Sequence, residues 1–551
     1  MNFLQKQVKR PRWELLLLLM GLILGGFLVK NTPVQAQSRQ VLHLSATAPL
    51  DTIDLAKASG YGQTGNVFEG LYRLGKKGQV TAGLAQKSTK SADGLTWTFK
   101  LRPARWSNGD KITAQDFVYS WRRTINPKTK AQYAYLFAGI KNAEAISLGK
   151  TRPQTLGIKA LDDQTLEVQL DRPIAYFKIL MAYPLFAPQN QRVVKKYGSK
   201  FALTSSKQVY SGPFKITGWS GNNNTWQFTK NPYYWDRKKV KLQKIKYSVV
   251  PDSSTSYNLY QTGKLDLILL SSDQVRNLKS SPDMRHYPYS MMYFIKYNFQ
   301  NSNSKKKKIL NNKQLRLAIA QAVNRRELTQ KVLGDGSLIP HGFVPQGLAN
   351  DPQSGKDFAQ QQKRPIWSKY NAKQARSHWR KGLRQTGYHK VQLTLLASSD
   401  EADNKMVTQY LKAQLEKTLP GLTINLRQMP SHSVEQAQQA GRFDLALAAW
   451  GADFNDPISF LQIPLRKTAY NTGKYANSQY DHLINQAQNA DANDPHKRWQ
   501  DLLAANKLLS ADQGFTPLYQ NNANYLQKKK IHGIIHNTAG TQWNYKTAYL
   551  K

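Results

Sequence analysis

One stretch of the 551-residue chain puts reactive side chains where a ligand could meet them. In Ala448-Ala449-Trp450-Gly451-Ala452-Asp453-Phe454-Asn455-Asp456-Pro457, an apolar run that reads as a strand ends in an indole and then a lone carboxylate. Open α/β sheets bind ligands beyond the carboxyl ends of their strands, so Asp453 beside Trp450 could pair with a ligand cation. The competing reading has Asp453 capping a turn. Catalytic groupings are poorly represented. There is no G-x-S-x-G elbow, no H-E-x-x-H and no Gly-rich phosphate loop. His532 and His536 are four apart, but they lie in a strand-like stretch without an acidic neighbour and read as surface residues rather than ligands. Asp162-Asp163 falls in a turn before a strand. With no cysteine in the chain, disulfides, thiol nucleophiles, cysteine-bound zinc and iron–sulfur clusters are excluded. The sum argues against an enzyme, and no metal or cofactor is expected.

The elements that must position these residues alternate between two periodicities. Short apolar or alternating runs predict strands at Val41 to Leu44, Leu95 to Leu101, Thr165 to Leu170, Leu265 to Leu270, Val391 to Leu396, Leu422 to Leu426 and Phe443 to Ala449. Helical spacing appears at Thr113 to Arg123, where Thr113 and Asp116 form a capping-box pattern, at Lys313 to Leu333 before Gly334, and at Lys405 to Leu419. Asn301 to Lys308, polar and Lys-rich, and Gly336 to Arg364, rich in Gly, Pro and Gln, are candidate breaks. The pattern is mixed α/β, and the length predicts two or three domains.

Composition limits the partners. Hydrophobic residues at 40%, with 12 Trp, 28 Tyr and 19 Phe, can fill real cores, so disorder is not expected. The net charge of +45 raises the question of nucleic acid. The charge is scattered, however, over Lys76-Lys77, Arg122-Arg123, Lys305 to Lys308 and Lys528 to Lys530. No nucleic-acid-binding motif accompanies it, and no nucleic-acid partner is expected. Solvated faces account for such runs; attraction to an anionic cell envelope is the functional alternative.

The first residues read as an export signal. Lys6, Lys9, Arg10 and Arg12 precede an unbroken apolar run from Leu15 to Val29, and Val34-Gln35-Ala36 offers small residues at a cleavage site. The run is shorter than the roughly 20 residues that span a bilayer comfortably, so residues 1–36 are expected to be a cleaved signal peptide, with an uncleaved anchor as the alternative. Cleavage removes five basic and one acidic side chain and leaves about +41. Without a cysteine the product cannot be a lipoprotein, so an exported, extracellular and cell-surface-associated protein is expected.

Several blocks together resemble a known family. Trp97-Thr98-Phe99-Lys100-Leu101-Arg102, Trp106-Ser107-Asn108-Gly109-Asp110 and Thr113 through Arg123 are similar to the signature of the oligopeptide-binding proteins of ABC importers, solute-binding family 5. Leu156 to Ala160, Ser211-Gly212-Pro213-Phe214, Asn231 to Trp235 and Gly263-Lys264-Leu265-Asp266 follow in the same order. The resemblance implies an α/β, bilobal, periplasmic-binding-protein-like fold of type II with an extra inserted domain. It places lobe I at 37–70, 192–288 and 520–551, the inserted domain at 71–191, and lobe II at 289–519. It implies oligopeptides held extended between the lobes by main-chain hydrogen bonds, with side chains in hydrated pockets, and delivery to the permease and ATPase subunits of an ABC transporter.

The resemblance also assigns site residues. Asp453 matches the acid that pairs with the peptide's α-ammonium, Trp450 the neighbouring aromatic wall, and Gly451 a point where main chain meets peptide. Tyr133, in Gln132-Tyr133-Ala134-Tyr135, matches a ligand-contacting tyrosine of the inserted domain. Asn471 matches an asparagine that bonds peptide backbone, and Ala56, Lys57 and Ala58 match a first-lobe segment that pairs with the peptide. One departure stands out. The best-known enteric member has an arginine three residues before the tryptophan, able to meet the carboxylate of a short peptide; this chain has Leu447. The expectation that follows is longer or apolar peptides. A peptide- or pheromone-sensing receptor, or a basic cell-surface adhesin, could use the same fold.

Overall fold

The apolar runs converge on one ten-stranded mixed sheet, seen in a computed structural model that describes residues 40–551 except 59, 63, 363–365 and 467. The expected signal segment, 1–36, lies outside the described residues. In spatial order the strands are Leu422–Met429, Val391–Ser398, Leu445–Gly451, Met284–Tyr297, Phe515–Gln527, Leu267–Leu269, Val41–Ala46, Lys244–Val249, Thr225–Lys230 and Phe214–Thr217. Parallel pairing occurs in two places, one around Val41–Ala46 and one around Val391–Ser398. Parallel strands need both faces covered, so each group is the centre of its own α/β layer, and these layers are the two lobes.

Met284–Tyr297 and Phe515–Gln527 run antiparallel between the groups. At 14 and 13 residues each spans about 45 Å at roughly 3.3 Å per residue. One half of the pair adjoins Leu267–Leu269 and the other adjoins Leu445–Gly451, so both strands belong to both lobes. Their ladder breaks between Pro288 and Met292, where proline has no N–H to donate. Fully buried Gln520 fills the gap: its amide donates to the carbonyl of Gln346 (3.0 Å) and accepts from the Gln346 N–H (2.8 Å). The sequence reading missed both strands.

A separate antiparallel sheet, Ala85–Lys90, Thr96–Leu101, Thr165–Gln169 and Ile158–Asp162 in spatial order, forms the inserted part. The helix Ala114–Ile125 packs on it with Phe117 and Trp121 buried. The Asp116 carboxylate accepts from the Thr113 N–H (2.9 Å), the reach-back half of the expected cap. Arg123 at the helix end grips Asp54 of the first lobe through two bonds of 2.6 and 2.7 Å, a fork geometry that fixes direction as well as distance.

Three expectations need correction. Lys313 to Leu333 is not one helix: Lys313–Ala322 ends at Val323, and Asn324 starts a new turn by accepting from the Glu327 N–H (3.2 Å). The break is held by buried Arg325, which donates to the carbonyls of Ala320 and Pro517 (both 2.8 Å). Asn301 to Lys308 is not a linker: Asn303 caps the helix Ser304–Asn311, and Asn301 and Lys306 bond Asp444. Gly336 to Arg364 is likewise no open break, since Phe343, Val344, Leu348 and Phe358 bury their side chains in the core.

Candidate functional site

Leu445–Gly451 runs antiparallel to Met284–Tyr297, with Trp450 opposite Met292 and Gly451 opposite Met291. Burial falls along the strand, from fully buried Leu445 to part-exposed Trp450 and Gly451, so its carboxyl end emerges at the edge of the lobe. The loop beyond is pinned on Ser459. The Ser459 hydroxyl accepts from the Asp453 N–H (2.9 Å), and its carbonyl accepts from the Trp450 indole (3.0 Å). A buried ion pair closes the loop, with Arg498 on Asp456 at 2.7 and 3.0 Å. Asp456 caps the following turn through the Ile458 N–H (2.9 Å).

The capping task therefore belongs to Asp456, and the Asp453 carboxylate is left for something else. It accepts one bond from the Tyr135 hydroxyl at 2.8 Å. Among the described residues no Lys, Arg or His stands within ion-pair distance of it. Burial pushes its pKa up to about 6, with the tyrosine hydrogen bond pulling partly back. A part-buried carboxylate without a cation is costly, and the cost is relieved by a ligand that brings one.

Aromatic rings from distant parts of the chain surround that carboxylate. Tyr470 stands edge-on to Trp450 at 4.8 Å and to Tyr135 at 5.6 Å. Tyr133 lies between Tyr135 (6.0 Å) and Tyr61 (5.5 Å), and Tyr183 meets Tyr61 at 5.0 Å. The Tyr133 hydroxyl is pushed up to about 12, by burial first and then by the Asp453 charge. Trp450, Tyr470 and Asp453 come from the second lobe and Tyr133 and Tyr135 from the inserted part, so the rings span the cleft. Tyr176 stacked on Phe454 at 4.7 Å makes a second bridge. A cavity of about 400 Å³ opens beside Trp450, with Lys296, Leu447 and Tyr470 in its walls.

The remaining residues singled out by the resemblance are placed differently. Asn471 is fully buried. Its amide donates to the carbonyls of Pro464 (3.1 Å) and Tyr475 (2.8 Å) and accepts from the Tyr475 N–H (2.9 Å). That side chain shapes the loop carrying Tyr470 and has its bonds inside it. Ala56, Lys57 and Ala58 form a turn, not a strand, and all three N–H groups go to Asp54 at 2.9–3.1 Å; pairing with an extended ligand would fall to the carbonyls. A Cβ on Gly451 would lie 3.5 Å from Met291 and Tyr289, ordinary contact, so packing alone does not demand a glycine. His536 is half-buried rather than fully at the surface: it packs at 4.7 Å against both Tyr287 and Trp543, and burial lowers its pKa to about 4.

Sequence reasoning missed Tyr135, Tyr470 and Ser459. Tyr135 is two residues from Tyr133 in the motif already noted, and that proximity was the available signal. Among the described residues no group of three or more His, Cys, Asp or Glu could hold a metal ion, and no helix is long and apolar enough to cross a membrane.

Two lobes sharing a sheet, a third part inserted in the first, and a charged, ring-lined cleft between them define a bilobal binding protein of type II. Residues 79–472 match the model of the bacterial extracellular solute-binding proteins, family 5, and the chain belongs to that family. A dipeptide-binding protein of Lactococcus lactis subsp. cremoris is 36% identical over 514 residues, 92% of each chain. Among solved structures, Listeria monocytogenes OppA bound to peptide is similar at a TM-score of 0.78 and 36% identity, over 93% of this chain and 99% of that one. The pheromone receptor PrgZ is similar at 0.78 and 33%, over 93% and 100%.

Proposed function

We propose that this protein captures peptides in the cleft between its lobes and delivers them to an ABC importer. The observation that carries the reading is Asp453: a part-buried carboxylate with no cationic partner among the described residues, at the carboxyl end of a strand and enclosed by tyrosines of the opposite part. A peptide's α-ammonium is the one cation that ordinary peptides share, so an acid there fixes register without reading side chains. Trp450 and Tyr470 flank it, and a cation next to aromatic rings gains further from their faces. Tyr133 and Tyr135 close over the ligand from the inserted part, Gly451 and the turn Ala56–Ala58 meet it through main chain, and Asn471 acts by holding the Tyr470 loop.

The boundaries expected for the lobes fit this arrangement, with hinges where the long strands lose their ladder near Tyr289 and near Tyr519. The role is binding, not catalysis, and ATP hydrolysis belongs to partner subunits. Residues 1–36 direct export, and the positive charge holds the product at an anionic envelope. Mass spectrometry of peptides that co-purify with the protein tests the main reading. Recovery of peptides with free amino termini supports it, and a preparation that neither carries nor binds any peptide of a random library sinks it. Intact peptides after long incubation support the non-catalytic role. N-terminal sequencing and a salt wash of whole cells test export and retention: a chain starting at Gln37 and released by salt is expected. The likeness to the pheromone receptor PrgZ favours a second reading, a sensor on the same fold, which would bind one sequence far more tightly than its scrambled form.

A further inference from the structure

Lys296 sits in the second half of Met284–Tyr297, in the wall of the cavity beside Trp450. Its side chain is almost wholly buried. Its ammonium donates to the side-chain carbonyl of Gln438 (2.9 Å) and the hydroxyl of Thr472 (3.1 Å), and lies 3.5 Å from the carbonyl of Tyr470. These neutral acceptors orient the ammonium without cancelling its charge. Among the described residues no carboxylate lies within ion-pair distance of it. Glu401 and Glu435 line the same cavity, but Glu401 accepts from the Tyr293 hydroxyl (3.1 Å) and Glu435 faces solvent. Burial lowers the lysine to about pKa 8, so the charge persists at neutral pH at a cost that an incoming anion would lift.

The cavity thus carries an uncancelled positive charge in its wall, and an uncancelled negative one, Asp453, stands three residues beyond Trp450 of the same wall, in the loop pinned on Ser459. We infer that Lys296 is the receptor for a carboxylate of the bound ligand, so that the site selects peptides by an anionic group set at a fixed distance from their amino end. This rests on the peptide-capture reading above. Met292 lies opposite Trp450 and Lys296 opposite Ala446, so Lys296 lies four residues along the strand from the level of Trp450, which flanks the amino end on the capture reading, or about 13 Å. An extended peptide covers that distance in three to four residues. The carboxylate would be the C-terminus of a short peptide or an Asp or Glu side chain of a longer one. Leu447, opposite Ile295, leaves its own part of the wall apolar, and the neighbouring strand supplies the cation instead. Leu447 by itself points to longer or apolar peptides; under this inference the ligands are instead acidic or short ones, and the test below distinguishes the two.

The test uses tri-, tetra- and penta-alanine as free acids and as C-terminal amides. Penta-alanine amides with a single Glu or Gln at the second, third or fourth residue complete the set. Calorimetry compares the wild type with Lys296→Met, which keeps the length and apolar stem but drops the charge, and with Lys296→Arg, which keeps the charge. The expected result is a loss of at least tenfold on Lys296→Met for the carboxylate-bearing member of one matched pair, a loss under threefold for its neutral partner, and substantial recovery in Lys296→Arg. Acid-versus-amide selectivity that disappears in Lys296→Met identifies the C-terminus as the source, and Glu-versus-Gln selectivity that disappears identifies a side chain. Equal losses within every pair, or none, mean that Lys296 merely clamps the 470–472 loop to Gln438 and overturn the inference while leaving peptide capture intact. If Lys296→Met fails to fold, Lys296→Gln takes its place under the same criteria. A wild type that binds none of these peptides and none of a random library overturns the capture reading itself.

Discussion

Replacing Asp453 by Asn should move affinity and stability in opposite directions. On the proposed reading the carboxylate of the liganded protein faces the α-ammonium in a closed cleft, and removing one partner of such a buried pair costs about 3–5 kcal/mol. Asp453 is part-exposed and keeps the Tyr135 hydrogen bond, so the lower end applies, about a hundredfold in affinity at roughly 1.4 kcal/mol per factor of ten. In the empty protein the same carboxylate has no cation. Its pKa, raised from 3.8 to about 6, means that the folded state holds the proton more tightly than the unfolded chain does. The cost of ionisation is therefore absent below about pH 4 and fully present above about pH 6, where it reaches at most about 3 kcal/mol. Asp453→Asn should accordingly stabilise the empty protein at pH 7, leave it unchanged near pH 3.5, and still bind free-amine peptides about a hundredfold more weakly. N-acetylated peptides bring no ammonium and should lose little. Urea unfolding at the two pH values, with calorimetry of one peptide in free and acetylated forms, completes the cycle. Equal losses for the two peptide forms, or a destabilised empty variant at pH 7, would refute the reasoning.

Because pairing forces Asp453 to ionise, binding of a free-amine peptide at pH 5.5 should release protons and weaken about tenfold per pH unit below about 6. Calorimetry in buffers of different ionisation enthalpy reads the release, and heats that do not depend on buffer count against it. Trp450→Phe should lose the part of the fluorescence change that accompanies binding while the other tryptophans still respond, and an undiminished change would place Trp450 off the ligand path. Arg498→Leu strands the buried Asp456 and should cost about 3–5 kcal/mol. Asp456→Asn in the same chain should recover much of that in chemical denaturation, and a double variant no better than the single denies the pair its role.

Local patterns in the chain showed the ends of elements well and their partners poorly. Leu445–Gly451, expected at Phe443 to Ala449, could be read because a run of small apolar residues marks a strand wherever it lies. The acid beyond it could be read for the same reason. Met284–Tyr297 could not: it alternates in its first half, bulges after Pro288 and is continuously buried from Met292 to Tyr297. No single period spans a strand that leaves one environment for another. That is also why Lys296 escaped notice, since a lysine within Phe294-Ile295-Lys296-Tyr297 reads as the solvent-facing member of a strand. Tyr135 reaches Asp453 across 318 residues of sequence, a distance over which spacing carries no information. The strand pattern singled out Asp453 and Trp450 and the resemblance to the family gave them roles; the geometry added Tyr135 and Tyr470 around them and Lys296 further along the wall.

The two long strands shared by the lobes have a mechanical consequence. A pair of hydrogen-bonded strands resists stretching and in-plane bending but yields to twist about its length. With the ladder shifting register between Pro288 and Met292 and again between Tyr293 and Phe294, and the Gln520 amide reaching the Tyr289 carbonyl in the first gap (3.4 Å), rotation is concentrated in a few residues and sliding is suppressed. Opening and closing are then confined to about one angular coordinate, like a torsion bar rather than a loose tether. Each closure returns the inserted part to the same alignment, and that repeatability lets a hydroxyl on one side find a carboxylate on the other to within hydrogen-bonding tolerance, cycle after cycle.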